Sequence, residues 1–351
     1  MLSDRAPSHW LVALIFCSFL GGPAVSADDT LEGDSVDERD AGREEEDAER
    51  ISNDRNVYEL PDADVDVVGE VRTVMARQED TLLSIARQHG VGYQEIRRAN
   101  PGVDIWLPGE GTPVTIPTRF VLPPGPREGI VVNLPEMRMY YYPEPDADGK
   151  RVVETYPISI GRMDWSTPIG ETEVTLRLED PAWFPPDSVR ERAESEGRAL
   201  PRRVDPGPDN PLGRYAIGLD VPGYFIHGTN RPAGVGMRAT HGCIRMFPED
   251  IESIVYRIGR GTNVRILNQP FKAGWSEEGD LYLQAYPGLD EDEDELAQKG
   301  VTPVVEVVAE RLRERAARVD YPRLKEVAAE ASGRPKSITR EPVREDLAQA
   351  D

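Results

Sequence analysis

Cysteine is nearly absent from this chain of 351 residues, which carries only Cys17 and Cys243. Two cysteines cannot build a disulfide framework, so hydrophobic cores must hold the fold together, and the length suggests about two domains. Basic residues are also scarce, because 41 lysines and arginines face 64 acids for a net charge of −23. This balance argues against a nucleic-acid partner, whose phosphates require a basic surface.

Hydrophobic runs long enough to cross a membrane are missing as well. The run at residues 10–20 (WLVALIFCSFL) has eleven residues and is followed by Gly-Gly-Pro and the small residues Val25-Ser26-Ala27. We therefore predict a signal peptide over residues 1–27 and no membrane span after cleavage, with an N-terminal anchor as the alternative. Cleavage removes Cys17 and leaves Cys243 as a single thiol in an oxidising compartment. Such a thiol is either buried and inert or kept for its reactivity.

The acidic residues are concentrated in two segments. Residues 28–66 contain seventeen acids and four arginines, and residues 290–295 are six consecutive acids, so the two segments carry −19 of the net charge. Large apolar side chains are sparse in the first segment, which cannot bury enough surface to offset its ordering entropy. We predict an acidic disordered linker over residues 28–68 and nearly neutral domains after it.

The region 69–118 predicts a small βααβ module. Alternating and periodic apolar residues are separated there by capping and turn residues. The predicted elements are a strand at 71–74, a helix capped by Asp80 or Thr81 and ending near Gly90, a helix at 93–98, and a strand at 114–116 that ends before Pro117.

The region 119–270 predicts a mainly β domain. Short runs of β-branched and aromatic residues alternate with turn residues, a spacing typical of a sandwich or barrel. A long interruption at 183–212, rich in proline, arginine and glutamate with a helical middle at 188–198, is typical of a lid or binding loop. The predicted strands lie at 130–133, 137–142, 152–160, 173–178, 224–227 and 263–267.

After residue 270 the pattern changes again. Gly279-Asp280 predicts the turn of a hairpin in the segment 271–300, which also holds the second acidic block as a linker. Thr302-Pro303 and Tyr321-Pro322 are typical helix starts, so residues 301–351 are predicted to form a helical tail. We expect this tail to dock or tether the protein.

The residues that point to chemistry surround the single mature cysteine. His227 and His241 both lie within sixteen residues of Cys243. A thiol attacks carbonyls as the thiolate, and an imidazole can either take its proton or form an ion pair with it. The backbone N–H groups of Gly242 and Cys243 are candidates for stabilising an oxyanion. Arg245 can raise the local potential or hold a substrate carboxylate.

Two less reactive interpretations stay open. A lone buried cysteine often fills a core without chemistry. Two histidines and one cysteine can also bind zinc, although a fourth ligand at the usual spacing is missing. His89 lies far away in the small module and is interpreted as a surface helix residue.

The same residues resemble a known family. His227-Gly-Thr-Asn followed by Thr240-His-Gly-Cys-Ile-Arg-Met resembles the signature of L,D-transpeptidase catalytic domains, often labelled YkuD. The resemblance covers about residues 127–268 and includes Ile160-Gly-Arg, Thr167-Pro-Ile-Gly and Trp183-Phe-Pro-Pro. It implies a mainly β fold, an L,D-transpeptidase-type β-sandwich, and activity on peptidoglycan stem peptides.

The small module resembles a LysM domain, which binds glycans containing N-acetylglucosamine. The resemblance implies glycan contacts from Asp80, Thr81, Ile105 and Trp106. A LysM-like module before this catalytic domain is similar to the ErfK/YbiS-like periplasmic branch, so the periplasm is the expected location. Expected partners are peptidoglycan stem peptides and glycan strands, and a lysine-ended outer-membrane lipoprotein, which some members of the branch attach to the cell wall.

The resemblance also implies a role for individual residues. Cys243 matches the family nucleophile and His227 the family acid/base, and the Gly228 carbonyl is expected to orient His227. His241 occupies a variable place and is expected to help in substrate contact or thiol tuning. Arg245 stands where part of the family has asparagine. Substrate contacts are expected from Thr229, Asn230, Trp183 and Arg238, supported by Gly242, and no metal or other cofactor is required.

The function that follows is acyl transfer through a thioester. Cys243 would accept the acyl group of a tetrapeptide stem with release of D-alanine, and an amine would then receive it, giving 3-3 crosslinks or lipoprotein attachment. One alternative is hydrolysis, as an L,D-carboxypeptidase or crosslink hydrolase with the same Cys-His pair. A second alternative, of another class, is a non-catalytic glycan-binding scaffold of the cell wall.

Overall fold

The computed structural model describes residues 55–162 and 167–340. The predicted signal peptide with Cys17, most of the predicted linker and the end of the predicted tail lie outside these residues. Within the described ranges, no helix combines the length and the apolar composition that a bilayer crossing requires.

A strand precedes the small module. Strand β1 (Val57–Glu59) pairs antiparallel with β6 (Val152–Pro157) of the large sheet. Tyr58 and Leu60 pack against a buried cluster of that sheet. Residues 57–68 are therefore not part of a disordered linker, because their apolar side chains are covered by tertiary contacts that the acidic composition does not reveal.

The predicted βααβ module is present. Its strands β2 (Val67–Met75) and β3 (Pro113–Val121) pair antiparallel, and helices α1 (Leu82–Gln88) and α2 (Tyr93–Ala99) lie between them in sequence. Thr81 caps α1, because its hydroxyl accepts the Ser84 N–H at 2.9 Å while the Ser84 hydroxyl accepts the Thr81 N–H at 3.0 Å. The apolar faces of both helices meet the hairpin in a closed core.

Strand β3 continues through Pro117, where the sequence predicted its end. Pro117 lies opposite Val71 in a sheet of only two strands. Proline lacks the N–H that a central strand must donate, but a strand with a free edge tolerates it. The strand can therefore pass Pro117 and reach Val121 at the start of the large domain.

The large domain is built on one sheet of nine strands. Its strands, with a short adjoining pair, are β1 and β6 together with β4 (Gly129–Asn133), β5 (Arg138–Tyr142), β7 (Ile160–Gly161), β8 (Gly170–Glu179), β9 (Tyr215–Leu219), β10 (Phe225–His227), β11 (Arg238–Thr240), β12 (Ile244–Arg245) and β13 (Asn263–Leu267). The strand order is β1-β6-β5-β4-β13-β8-β9-β10-β12, with β4 parallel to β13, β10 parallel to β12 and the other neighbours antiparallel. The short pair that adjoins this sheet is β7 with β11. The prediction of a mainly β fold is confirmed.

The sheet has a core on each face. Alternate side chains of β4 divide between them, so that Ile130 and Val132 face the main core while Val131 faces Phe120 of the small module. Helix α4 (Pro248–Ile254), which follows β12 almost directly, closes the main core. Burial on both faces explains why β4 and β5 read as nearly continuous apolar runs.

The long interruption between β8 and β9 contains helix α3 (Asp187–Ser195), close to the predicted helical middle. A short 3₁₀ helix (Pro232–Gly234) follows β10. Trp183 and Val204 bond to each other through both backbone groups and fix the base of the interruption.

The C-terminal region folds on its own core. The predicted hairpin is present as β14 (Phe271–Trp275) and β15 (Leu281–Ala285), extended by β16 (Lys336–Ser337). The two predicted helices, α6 (Thr302–Glu314) and α7 (Tyr321–Glu330), pack their apolar faces on this sheet. The acidic block between the hairpin and α6 is ordered as a 3₁₀ turn (Asp290–Asp292) and helix α5 (Glu293–Lys299), so the predicted linker and the described part of the predicted tail belong to one compact unit with the hairpin.

Three ion pairs, two of them buried, join the three folded regions. Arg138 of β5 donates to Glu95 of α2 at 2.8 Å, and both side chains are buried. Lys272 of β14 donates to Glu136 at 2.7 Å, with side chains 1% and 0% exposed. Arg87 of α1 donates to Glu249 of α4 at 3.0 Å. The small module therefore rests against the domain that carries Cys243 through complementary charges as well as apolar contacts.

Candidate active site

Two parallel strands bring the predicted site residues together. Strands β10 and β12 pair with Ile226 opposite Ile244 and His227 opposite Arg245. Ile226 and Ile244 both point into the main core, so His227 and Arg245 share the other side of the sheet. Cys243 directly precedes β12, and the alternation of side chains along the strand places it on the same side as Arg245. Residues sixteen apart in sequence thus meet through strand pairing.

His227 is held in one tautomer. Its ring is buried, and Nδ1 lies 2.6 Å from the Gly228 carbonyl oxygen. A carbonyl only accepts, so Nδ1 carries the hydrogen and Nε2 keeps a lone pair. Burial, aided by the positive charge of Arg245, lowers the pKa of His227 to about 4. The imidazole is therefore neutral near pH 7 and able to accept a proton.

The Cys243 thiol is partly exposed and only weakly acidic. Its Sγ lies 3.6 Å from the Gly223 carbonyl oxygen. Burial raises the pKa of the thiol, although the Phe225 N–H and the Arg245 charge act in the opposite direction. Together with neutral His227, this favours a resting pair of thiol and imidazole over an ion pair, one of the two arrangements that the sequence left open.

The turn before Cys243 presents two backbone donors. Gly242 has a φ of +98°, and within the described chain the N–H groups of Gly242 and Cys243 have no hydrogen-bond acceptor. Thr167 fixes this turn, because its hydroxyl donates to the Gly242 carbonyl at 2.9 Å and accepts the Gly161 N–H at 3.1 Å. Sequence reasoning assigns no role to Thr167, although this residue stands in one of the motifs that carry the resemblance.

Replacing Gly242 by alanine is expected to destabilise the fold by about 2–4 kcal/mol. An L-residue in the left-handed region costs roughly 1–2 kcal/mol, and crowding adds about as much again. A Cβ at this position would lie 2.8 Å from the Tyr224 ring. Urea unfolding measures the loss. Gly261→Ala is the matched control, since its φ is +81° but nothing lies within 4 Å of its Cβ position. Equal losses in both variants would contradict the crowding argument.

Positively charged side chains surround the mouth of the site. His241 lies at the exposed end of the turn, and desolvation together with Arg162, Arg192 and Arg245 lowers its pKa. Arg192 belongs to α3, so the long interruption reaches the neighbourhood of Cys243. Trp183 is partly buried at the base of the same segment. These positions agree with a binding loop near the thiol.

The three other residues predicted to contact substrate, Thr229, Asn230 and Arg238, differ from one another in exposure and in hydrogen-bond partners. The Thr229 hydroxyl is buried and accepts the Arg231 N–H at 2.9 Å, so it shapes the loop after β10. Asn230 beside it is exposed. Arg238 is bonded to Asp290 and Glu291 at 3.1 and 2.8 Å. Its guanidinium ties β11 to the C-terminal unit, and its role as a substrate contact stays a prediction.

The predicted glycan contacts divide into two groups. Ile105 and Trp106 line a groove of about 540 Å³ beside α2 in the small module, and the Trp106 ring is largely exposed. Asp80 and Thr81 lie outside the lining of this groove. Asp80 accepts the Arg77 N–H at 2.8 Å and Thr81 caps α1, so both side chains have structural partners.

No metal-binding cluster is present in residues 55–162 and 167–340, where three or more His, Cys, Asp or Glu side chains nowhere gather closely enough to hold an ion. The zinc interpretation of His227, His241 and Cys243 is therefore not supported by their arrangement.

Comparison with known proteins agrees with these observations. Residues 127–266 match the L,D-transpeptidase catalytic domain family YkuD, and residues 75–105 match the LysM domain family. The chain is 37% identical over 82% of its length to the "probable L,D-transpeptidase YcfS" of Escherichia coli K12, 90% of which is covered. It is 36% identical over 80% of its length to the "probable L,D-transpeptidase ErfK/SrfK" of Salmonella typhimurium, 91% of which is covered. The chain belongs to the L,D-transpeptidase family.

Proposed function

We propose that this protein transfers the acyl group of a peptidoglycan stem peptide to an amine through a thioester on Cys243. The observation that carries the proposal is a neutral imidazole, held by the Gly228 carbonyl at 2.6 Å, on the same side of two paired strands as the thiol. A nucleophile, a base and a group that orients the base are the parts that covalent acyl transfer requires.

In the first step, Sγ of Cys243 attacks the carbonyl carbon of the third stem residue, and Nε2 of His227 takes the thiol proton. The N–H groups of Gly242 and Cys243 donate to the oxygen that becomes negative. Collapse of this intermediate breaks the C–N bond. The imidazolium then gives its proton to the departing amine of D-alanine.

In the second step, an amine attacks the thioester carbonyl and His227 takes one of its protons. The C–S bond breaks and the sulfur leaves with a proton, so the free enzyme is restored. The amine is proposed to belong to the side chain of a second stem or to the C-terminal lysine of an outer-membrane lipoprotein. Water in the same place would give hydrolysis.

The small module is proposed to hold the glycan strand of the same substrate. The exposed Trp106 ring offers a flat apolar face, on which a sugar ring can stack, beside the groove lined by Ile105 and α2. Because peptidoglycan lies outside the inner membrane, the periplasm is the proposed location, in agreement with the predicted signal peptide.

The proposal is tested with the purified protein and a disaccharide-tetrapeptide donor. Intact mass spectrometry should detect an adduct on Cys243 equal to the donor minus D-alanine, and Cys243→Ala should abolish both adduct and product. Retained cross-linking by Cys243→Ala would contradict the proposal. Product masses with a second stem, a lysine-ended peptide, or buffer alone distinguish cross-linking, lipoprotein attachment and hydrolysis.

A further inference from the structure

Two arginines beside Cys243 and His227 have no anionic partner. Arg245 lies in register with His227, and its Nε is buried without a hydrogen-bond acceptor in the described chain. Arg231 follows His227 by four residues, and the loop between them is closed by the Arg231 N–H on the Thr229 hydroxyl. Within residues 55–162 and 167–340, neither guanidinium makes an ion pair or a hydrogen bond.

Two more deeply buried arginines, by contrast, have carboxylate partners. Arg138 is paired with Glu95, and Arg55 with Asp250. Burial lowers the pKa of Arg245, and the like charge of the neighbouring Arg231 lowers it further. Arg231 is exposed, whereas Arg245 is partly buried. A partly buried charge with a like charge nearby is unfavourable, and such an arrangement persists where a ligand supplies the opposite charge.

We propose that Arg245 and Arg231 bind the free C-terminal carboxylate of the donor stem, on the residue that leaves. This inference rests on the proposed function. The two residues thereby select stems that end one residue after the bond to be broken, since only these place a carboxylate there.

The spacing fits a carboxylate at this place. Cys243 directly precedes the strand that holds Arg245, and two residues of extended chain span about 7 Å. The carboxylate of the leaving residue lies one residue after the attacked carbonyl. The Cα atoms of these two consecutive residues are about 4 Å apart. A guanidinium presents a planar fork that pairs with both carboxylate oxygens, and a second guanidinium can share the same anion. The carboxylates of the other stem residues are farther from the attacked bond.

The test compares three donors that differ only at the C-terminus. They are the tetrapeptide stem, its C-terminal amide, and the stem extended by one residue. We expect wild-type kcat/KM to be about 10–100-fold higher for the free tetrapeptide, because hydrogen bonds to charged groups contribute this much. In Arg245→Gln the ratio between the carboxylate and the amide donor should fall to near 1, and Arg231→Gln should lower it about 10-fold. A wild-type ratio near 1, or an unchanged ratio in Arg245→Gln, would overturn the proposal.

The ratio separates binding of the carboxylate from other effects of Arg245. Loss of its charge also changes the thiol and the imidazole, but that change acts on all three donors alike. Arg260→Gln is the matched control, because it removes the same charge from an exposed turn. Its donor ratio should equal that of the wild type.

A binding measurement keeps this inference separate from the proposed function. Calorimetric titration of Cys243→Ala with the same donors requires no chemistry. We expect the free tetrapeptide to bind at least 10-fold more tightly than its amide, and Arg245→Gln in this background to remove the difference. Equal binding of acid and amide would overturn the carboxylate site even if the thioester forms. If the wild-type protein formed no thioester, the proposed function would be contradicted. The titration would still show whether the two arginines bind the carboxylate.

Discussion

Replacing His227 by glutamine is expected to lower kcat/KM for acyl transfer by about 10²–10⁴ while the fold stays intact. The glutamine amide can still donate to the Gly228 carbonyl, which His227 Nδ1 approaches to 2.6 Å. It cannot take the thiol proton, so the transition state loses its base and the leaving amine its acid. Steady-state kinetics with the tetrapeptide donor measures the loss, and thermal unfolding checks the fold.

The pH profile identifies the same group. Burial lowers the pKa of His227 to about 4, so the imidazole stays neutral and can act as a base down to that pH. Below that pH the ring is protonated and kcat/KM should fall. This fall is the acidic limb of the pH profile, which a histidine with an ordinary pKa would place at about pH 6.5. The acidic limb should be absent from the pH profile of the activity that remains in His227→Gln. His89→Gln, the same change at the end of α1, should leave rate and profile unchanged. A His227→Gln rate within ten-fold of the wild type would contradict the assignment.

Local sequence predicted the elements whose signals are local. The cap of α1 by Thr81, the hairpin around Gly279-Asp280 and the strand at Asn263–Leu267 all depend on neighbouring residues. Strand β9 (Tyr215–Leu219) was missed, although all five of its residues are buried. It contains Gly218, which is depleted in strands and here accommodates the Leu176 side chain, 3.0 Å from its Cβ position.

The site was predictable for a different reason. A cysteine, two histidines and glycines close together in sequence indicate thiol chemistry whatever the fold, so Cys243 and His227 could be named as candidates. Whether a side chain is free to contact substrate or is held by another residue depends on partners that are distant in sequence. Arg238 meets Asp290 more than fifty residues away, and Thr167 reaches Gly242 across a gap of 75 residues. Only the sheet order and the packing of the C-terminal unit bring these pairs together.

Lys272 is the clearest case of a residue whose environment the sequence hides. It alternates with apolar residues in β14, as an exposed lysine of a hairpin would. Its Nζ is instead buried and donates to Glu136, to the Val121 carbonyl at 2.6 Å and to the Tyr140 hydroxyl at 3.0 Å. Glu136 also accepts the Tyr286 hydroxyl at 3.1 Å. This network joins the small module, the large domain and the C-terminal unit at one point.

Replacing Lys272 by methionine is expected to destabilise the protein by about 3–5 kcal/mol, because it leaves the Glu136 carboxylate buried without its counter-charge. The double variant with Glu136→Gln should lose less than the sum of the two single variants, since neither charge is then stranded. Urea unfolding of the four proteins gives the coupling. The control is Lys150→Met, which breaks an exposed pair with Glu59 at 3.5 Å and should cost no more than about 1 kcal/mol. Additive losses, or a Lys272→Met variant as stable as Lys150→Met, would mean that the buried pair does not hold the three regions together.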